Sequence, residues 1–546
     1  MFDNLSTLDL SIIAGYFILI LAVAVMVYFQ ERKDAREDKT SSYFLGGKSL
    51  TWVVIGASLF ASNIGSEHLV GLAGSGASGD FAAGQFEILA SIIIIVLGWL
   101  FVPIYLRSGV FTMPEFLEKR YNKWARQYLS WVSIVAYILT KISVTIAAGG
   151  IIFTALLGID FWTGAIIIVV LTGVYTVMGG LKVVVYTDFV QLIVLLGGAI
   201  AATLYGIDEM GGWSEMVAVT SDSHLSLWRN LNDPDFPWTG IVLGAPILGV
   251  WYWCTDQFIV QRVLAAKNID HARKGTIFAS YLKLLPLFIF VLPGVVAYAL
   301  STGDNPALVF PIENGEVQYD AALPALTMQI LPHGLKGLVV AGLLAALMSS
   351  LSSVFNSCST LITIDLYKER KPQASETELV KVGRIATVVL VALGLAWIPM
   401  LRLIEGGLFQ KLQSIQAYIS PPIAAVFLFG LFNRKLSAKG AQWALLSGAL
   451  IGGLRLIFEI MSEKDFELPS ALVYFTEINF LHFAFLLFIV CSIVLFAVSQ
   501  MSPAADLLAI QNITYSKDKR VPLTKTQFAL AMGAFVGVLA LWIIFN

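Results

Sequence analysis

Glu87, Lys283, His68 and Gln413 each sit inside a run of apolar residues in a chain of 546 residues. On insertion scales a charge centred in a bilayer costs roughly 2.5–3.5 kcal/mol, so such residues mark candidate functional sites wherever the run spans a membrane. Carboxylate, ammonium, imidazole and amide together offer donors and acceptors. Aromatic rings stand close by: Phe86 beside Glu87, Phe409 before Gln413, and Tyr252 and Trp253 in "VWYWCTDQ". Hydrogen bonds for hydroxyl groups, with ring faces for C–H surfaces, are what a sugar needs. Each residue taken alone also reads as part of a structural ion pair. That structural reading is preferred for Lys141 and Asp256, and Trp251 reads as core.

A second chemistry lies in "LFASNIGSEHLVGLAGSG", residues 59–76. Gly65, flanked by Asn63, Ser66, Glu67 and His68, is poor helix material. Unwinding over 65–68 would strip the carbonyls of residues 61–64 of their i+4 donors. Bare carbonyls at bilayer depth persist only where they line a cavity or hold an ion. The alternative is a tolerated glycine kink. "AALMSSLSSVFNSCST", residues 345–360, then places Ser349, Ser350, Ser352 and Ser353 on one small-residue helix. Such a stripe ordinarily means close helix packing. Hydroxyls facing freed carbonyls would instead make an all-oxygen site for a hard cation. Its low charge suits Na⁺ over Ca²⁺.

The elements that must position these groups are membrane helices. The chain is 57% hydrophobic and 13% charged, with a mean hydropathy of +0.79. Apolar runs of about 20 residues, enough to cross a core of about 30 Å, recur from end to end. They predict an all-α polytopic membrane protein with about fourteen spans, near 9–29, 51–76, 81–106, 126–157, 161–178, 182–205, 238–261, 276–300, 336–365, 380–401, 409–432, 439–460, 477–499 and 526–545. Lys and Arg alternate with these spans as cytoplasmic loops require, Arg107, Arg120, Arg262 and Arg273 among them. The long loops 206–237 and 301–335 carry only Arg229 as a basic residue, so both termini are expected outside. The formal net charge of −2 argues against a nucleic-acid partner. Cys254, Cys358 and Cys491 all fall in apolar segments and read as small core residues. "MFDNLSTLDL" lacks the basic start of a cleavable signal peptide.

The stretches "YFLGGKSLTWVVIGASLFASNIGSEHLVGLAGSGA", "VLGWLFVPIYLRSGVFTMPEFLEKRY", "VWYWCTDQFIVQRVLAAKN", "YLKLLPLF", "MSSLSSVFNS", "GRIATVV" and "QSIQAYISPPIAAVF" resemble the solute:sodium symporter family, and within it the sodium/glucose branch. The resemblance covers roughly residues 40–460. It implies a LeuT-like fold of two inverted five-helix repeats, 51–205 and 238–432, with one extra helix before and three after, within 439–545. It implies a Na⁺ site on the carbonyls of Ala61, Ile64 and Ala346 and the hydroxyls of Ser349 and Ser350. Asn63, His68, Glu87, Tyr252, Lys283 and Gln413 would contact sugar, with Trp253 beside them. Leu72, Phe86 and Phe409 would form an outer gate and Tyr252 an inner one. Asp188, Ser352 and Ser353 resemble a second Na⁺ site, which implies two Na⁺ per sugar. Ala90 and Gln410 depart from the branch and leave the particular sugar open. The implied function is sodium-coupled import of a neutral hexose by alternating access, without covalent chemistry, in a bacterial inner membrane. Two rivals are transport of myo-inositol, sialic acid or another polyol, and a non-transporting sugar-gated sensor or channel.

Overall fold

The computed structural model describes residues 5–34, 38–65, 67–302, 305–313, 315–401, 408–463, 466–503 and 505–546. Among these the long elements are all helices, and one two-stranded hairpin, Ile312–Glu313 with Glu316–Val317, decorates a loop. Among the described residues, 11 helices are long and apolar enough to cross a membrane, and a bent pair makes a twelfth span. The protein is a multi-pass membrane protein.

The difference from fourteen arises in two places. The Phe161–Glu209 helix runs for 49 residues, about 73 Å at 1.5 Å per residue, more than twice a hydrocarbon core. Its backbone leaves the helix at Gly180 (φ 56°, ψ −152°), where the sequence predicts an inner loop. A Cβ at Gly180 would lie 2.2 Å from the Tyr43 carbonyl oxygen, so both the dihedrals and the close approach require glycine. The second place is 238–264. Here Trp238–Leu243, Ala245–Gly249, Val250–Thr255 and Gln257–Leu264 follow one another as short helical pieces, interrupted at Asp256.

The break expected near Gly65 is present. The Trp52–Asn63 helix stops at Ile64, whose backbone is extended (φ −76°, ψ 98°). Helix resumes as a π turn, Glu67–Leu72, followed by Ala73–Ser78, and the two halves are bent by 69°. The far half nests on Leu292–Leu300: a Cβ on Gly294 would lie 1.8 Å from the Ala73 carbonyl oxygen.

The Leu335–Thr360 helix, which carries the serine stripe, is buried over nearly its whole length and runs along Phe161–Glu209. Its N-terminus is capped from outside the expected repeats. Asp9, on the first helix Thr7–Asp34, is fully buried. Its Oδ1 accepts from the backbone N–H of Gly334 (2.6 Å) and Gly337 (2.9 Å), and its Oδ2 from His333 Nδ1 (2.9 Å) and Ser6 Oγ (2.7 Å). A carboxylate at this position satisfies orphan helix donors and complements the helix dipole.

Several arginines expected in inner loops are buried instead. Arg120 donates to the carbonyls of Gly430 (2.7 Å) and Asn433 (2.8 Å), and Arg273 to those of Pro522 (2.9 Å) and Val521 (2.6 Å). Arg262 is fully buried. A guanidinium with five donors can serve frayed helix ends in this way while its stem packs on apolar neighbours. Cys254, Cys358 and Cys491 are buried and free.

Candidate functional site

The break at Ile64 frees carbonyls, and the serine helix supplies the donor. Ser350 Oγ donates to the carbonyl oxygens of both Ser62 and Ile64, each at 3.2 Å. Ala61 and Ala346 are buried on the two helices that face each other here. A hydroxyl bridging two carbonyls can rotate its proton away and offer a lone pair, which turns the same oxygens into ligands for a hard cation.

Ser349 points elsewhere. Its Oγ donates to Asp188 Oδ1 at 2.6 Å, while Asp188 Oδ2 accepts from Ser58 Oγ (2.6 Å) and Ser62 Oγ (3.1 Å). Arg262 closes this cluster: its Nε donates to Ser58 Oγ (3.1 Å) and Ser62 Oγ (2.9 Å), and its Nη2 to Ser353 Oγ. Ser353 Oγ donates to Ser62 Oγ at 2.9 Å, whereas Ser352 Oγ bonds to its own helix, at the Ser349 carbonyl (3.0 Å). The two sets of expected cation ligands therefore meet through Ser349 and Ser62. Ser58, Ser62 and Arg262 were not singled out from sequence as site residues. The i,i+4 spacing of Ser58 and Ser62 on the half-helix before the break is the signal that could have found them.

On the other flank of the break a polar chain runs to a cleft. The Gly65 N–H, orphaned by the break, donates to His68 Nδ1 at 3.4 Å. His68 Nε2 lies 3.3 Å from Glu87 Oε1. With Nδ1 accepting, Nε2 carries the proton and donates to the carboxylate. Lys283 Nζ bonds both Glu87 Oε2 and Asn63 Oδ1. Asn63 Nδ2 donates to the Tyr252 hydroxyl at 3.0 Å, which also accepts from Lys141 Nζ at 3.0 Å.

Asn63, His68, Glu87, Tyr252, Trp253 and Gln413 all line this cleft of about 640 Å³, part of it open to solvent, together with Phe86, Lys141 and Gln416. Lys283 does not line it. It is wholly buried behind Glu87 and Asn63 and acts on the cleft through them. Lys141 also lines the cleft: its Nζ lies over the Tyr252 and Phe258 rings, 4.1 and 4.0 Å from their centroids. Asp256 Oδ1 caps Gln257–Leu264 through the Phe258 N–H (3.1 Å). Trp251 is buried in the core.

Of the residues expected to form the outer gate, Phe86 lines the cleft. Phe86 meets Phe236 (6.1 Å between centroids) and Phe480 (6.5 Å), which joins the cleft wall to an aromatic cluster. Phe236 comes from the 206–237 loop, and its neighbour Asp235 accepts from Gln410 Nε2. Burial pushes the Asp235 carboxyl above the usual carboxylate range, against that hydrogen bond. Leu72 is fully buried at the end of the π turn and is not a cleft residue. The Phe409 side chain lies outside the described residues, as does Ser66.

One structural feature links the cleft residues. His68 lies on the π turn Glu67–Leu72, Lys141 on Tyr137–Ile142, and Tyr252 and Trp253 on Val250–Thr255. Lys283 caps the end of Ile269–Leu282, just before Pro286. A π turn inserts one residue and rotates the following side chains, and such turns gather at functional sites.

A family model for the sodium:solute symporter family matches residues 43–448. The sodium/glucose cotransporter 1 of Ovis aries is 39% identical over 551 residues, covering 94% of this chain and 82% of that protein. The sodium/myo-inositol cotransporter of Homo sapiens is 38% identical over 552 residues, covering 95% and 76%. Among solved structures, a substrate-bound, outward-open Na⁺-coupled sialic acid symporter superposes with a TM-score of 0.78 at 21% identity, over 92% of this chain and 99% of that one. A nucleobase-cation-symport-1 family transporter in a closed conformation gives 0.54 at 13% identity, over 87% and 98%. These likenesses show the fold, which is LeuT-like.

Proposed function

Because this chain belongs to the sodium:solute symporter family, with Na⁺ as the co-transported ion, we propose that it imports a neutral hexose of the glucose or galactose type. The observation that carries this reading is the Ser350 hydroxyl on the Ser62 and Ile64 carbonyls, one residue either side of Asn63. A cation drawn to these oxygens fixes the geometry of the break. Asn63 and His68 then stand ready as a donor–acceptor pair at the cleft. Na⁺ raises sugar affinity through this fixed turn, and by linkage sugar raises Na⁺ affinity by the same factor. Glu87, held by His68 and Lys283, accepts from a sugar hydroxyl. Tyr252 and Trp253 offer their faces to the ring, and Gln413 supplies an amide. The inverted repeats, 51–205 and 238–432, are part of this proposal, as are the outward-facing termini, a bacterial inner membrane and the absence of any covalent step.

Uptake of labelled glucose and galactose into proteoliposomes, with and without an inward Na⁺ gradient, tests the reading. Gradient-driven accumulation is the expected result. Na⁺-dependent binding without accumulation would make the protein a sensor instead. A second cargo, myo-inositol, is favoured by the same site chemistry and by the near-equal likeness to the human myo-inositol carrier. Competition by unlabelled myo-inositol and sialic acid in the same assay ranks the cargoes.

The second cation belongs to this proposal too. Asp188 and Ser353 offer oxygens, and Arg262 must release Ser353 for an ion to use them. At about 100 mV each Na⁺ gains roughly 2.3 kcal/mol from the potential, and a tenfold gradient adds about 1.4 kcal/mol. One ion then sustains about 500-fold accumulation and two about 10⁵-fold. The reversal potential of sugar-coupled current gives the ratio. Two is expected, and a value of one unchanged in Ser352→Ala would remove the second site.

A further inference from the structure

We infer that the cytoplasmic end of the molecule holds a site for the phosphate of an anionic lipid headgroup, in a cleft between the first helix and the Glu376–Leu401 helix. This cleft, of about 1390 Å³ with the open solvent at its mouth included, is remote from the substrate cleft and shares no lining residue with it. Its walls carry Lys39, Lys381 and Arg384, with Tyr28, Tyr43 and Glu31. Among the described lining residues, three cations thus face one carboxylate. That carboxylate is committed: Glu31 is buried and accepts from Ser42 Oγ at 2.9 Å. The second carboxylate at the rim, Glu376, accepts from the backbone N–H of Lys39 at 2.8 Å.

The cations are set in place rather than scattered. Lys381 and Arg384 lie three residues apart, on one face of their helix. Arg384 is steadied by the Met178 carbonyl (3.4 Å) and lies over the Tyr43 ring, 5.8 Å from its centroid. Lys39 Nζ is steadied by Thr377 Oγ1 at 3.3 Å. A guanidinium and two ammonium groups around one concavity match the oxygens of a phosphate.

The depth of the cleft argues for a lipid as the source of that phosphate. Both walls belong to peripheral helices that expose broad apolar faces, with Val25, Met26 and Phe29 on one and Ile385, Val388 and Val389 on the other. The cations follow where those faces end, and Tyr28 stands half-buried at the same level, as interfacial aromatics do. The basic loops assign this end to the cytoplasm, where basic pockets between membrane helices meet anionic headgroups.

Native mass spectrometry of the full chain, released from nanodiscs of phosphatidylcholine mixed with phosphatidylglycerol, tests the site. Wild type should retain phosphatidylglycerol in preference to phosphatidylcholine, and the triple variant Lys39→Gln, Lys381→Gln, Arg384→Gln should lose about tenfold of that preference. A charge-conserving triple, Lys39→Arg, Lys381→Arg, Arg384→Lys, should keep it. Equal retention by wild type and the glutamine variant, both with wild-type thermal unfolding, would overturn the site. Glycerol phosphate and inorganic phosphate, added at millimolar concentration, separate the sources. Undiminished lipid retention supports the headgroup, and full displacement assigns the cleft to a soluble phosphate and overturns the lipid.

Discussion

Two interruptions among the described residues, at Ile64 and at Asp256, treat the freed backbone groups differently. At the second break the loose ends are closed permanently. The Asp256 carboxylate and the buried Tyr137 hydroxyl take the Phe258 N–H (3.1 and 3.2 Å), and the buried Tyr105 hydroxyl takes the Cys254 carbonyl (2.7 Å). At the first break the partners are a serine hydroxyl and an imidazole, Ser350 and His68, which face the candidate ion and substrate sites. One break is a fixed bend that aims Tyr252 and Trp253. The other is a set of oxygens on loan. Buried backbone groups must be satisfied in both cases, and the choice of partner decides whether a ligand can compete for them.

The contrast yields predictions in order of size. Arg262, beyond the second break, ties itself to Ser58 and Ser62 before the first and compensates Asp188. We predict that Arg262→Met, which leaves that carboxylate buried and uncompensated, costs about 3–5 kcal/mol of stability. Asp188→Asn in the same chain should restore most of it. Thermal unfolding of the singles and the double reads this directly, and additive losses would show that the two groups do not compensate each other.

Next in size is Ser350→Ala. It removes the hydroxyl that, among the described residues, joins the Ser62 and Ile64 carbonyls, and the apparent Na⁺ affinity of uptake should fall about 10- to 150-fold, the worth of a charge-assisted contact of about 1.5–3 kcal/mol. Unchanged Na⁺ activation would place the ion elsewhere. Tyr252→Phe should follow, with sugar affinity down about 2- to 12-fold for about 0.5–1.5 kcal/mol. Its hydroxyl is an acceptor for Asn63 and Lys141, so the ring alone does not carry the role. Binding calorimetry that finds no difference from wild type would return the role to the ring. Smallest in functional terms is Tyr105→Phe. Losing the bond to Cys254 should cost about 1 kcal/mol of stability, with Na⁺ and sugar affinities at wild-type values. A shift in either affinity would mean that the second break is also a working site.

Much of this was legible in the sequence for one reason: a polar residue in an apolar run is conspicuous. Glu87, His68 and Gln413 stood out so, and the break at Gly65 announced itself by a cluster of poor helix formers. The serine stripe at 349–353 is legible as hydroxyls on a small-residue helix, whereas the choice of Ser349 and Ser350 as ligands and of Asn63 as a sugar contact rests on the family resemblance. The place of Lys141 on the cleft is not legible, because a lone buried lysine looks the same in sequence whether it faces a carboxylate or a cleft. The π turns that rotate Lys141, Tyr252 and Trp253 inward leave little trace, since one inserted residue hardly disturbs a 3.6-residue pattern. The sequence places Arg262 in a loop, since basic residues usually mark loops, whereas the Gln257–Leu264 helix includes it. Ser58 and Ser62 do not stand out in the sequence, because serine in a membrane helix usually serves packing.

The carboxylate of Asp9 fixes one end of the Leu335–Thr360 helix by bonds to Gly334, Gly337 and His333. A rod held at one end turns as a lever. Ser350 lies about 22 Å along it and Thr360 about 38 Å. A swing of about 3° displaces Ser350 by about 1 Å, enough to spoil an ion–oxygen contact, and a swing of about 10° carries the far end about 6–7 Å. We predict that spin labels near residue 336 hold their distance to the first helix with and without Na⁺, while labels near residue 368 move. Equal motion at both ends would mean that there is no fulcrum. With one, a small rotation in the plane of Asp9 is enough both to loosen the ion and to open the opposite face.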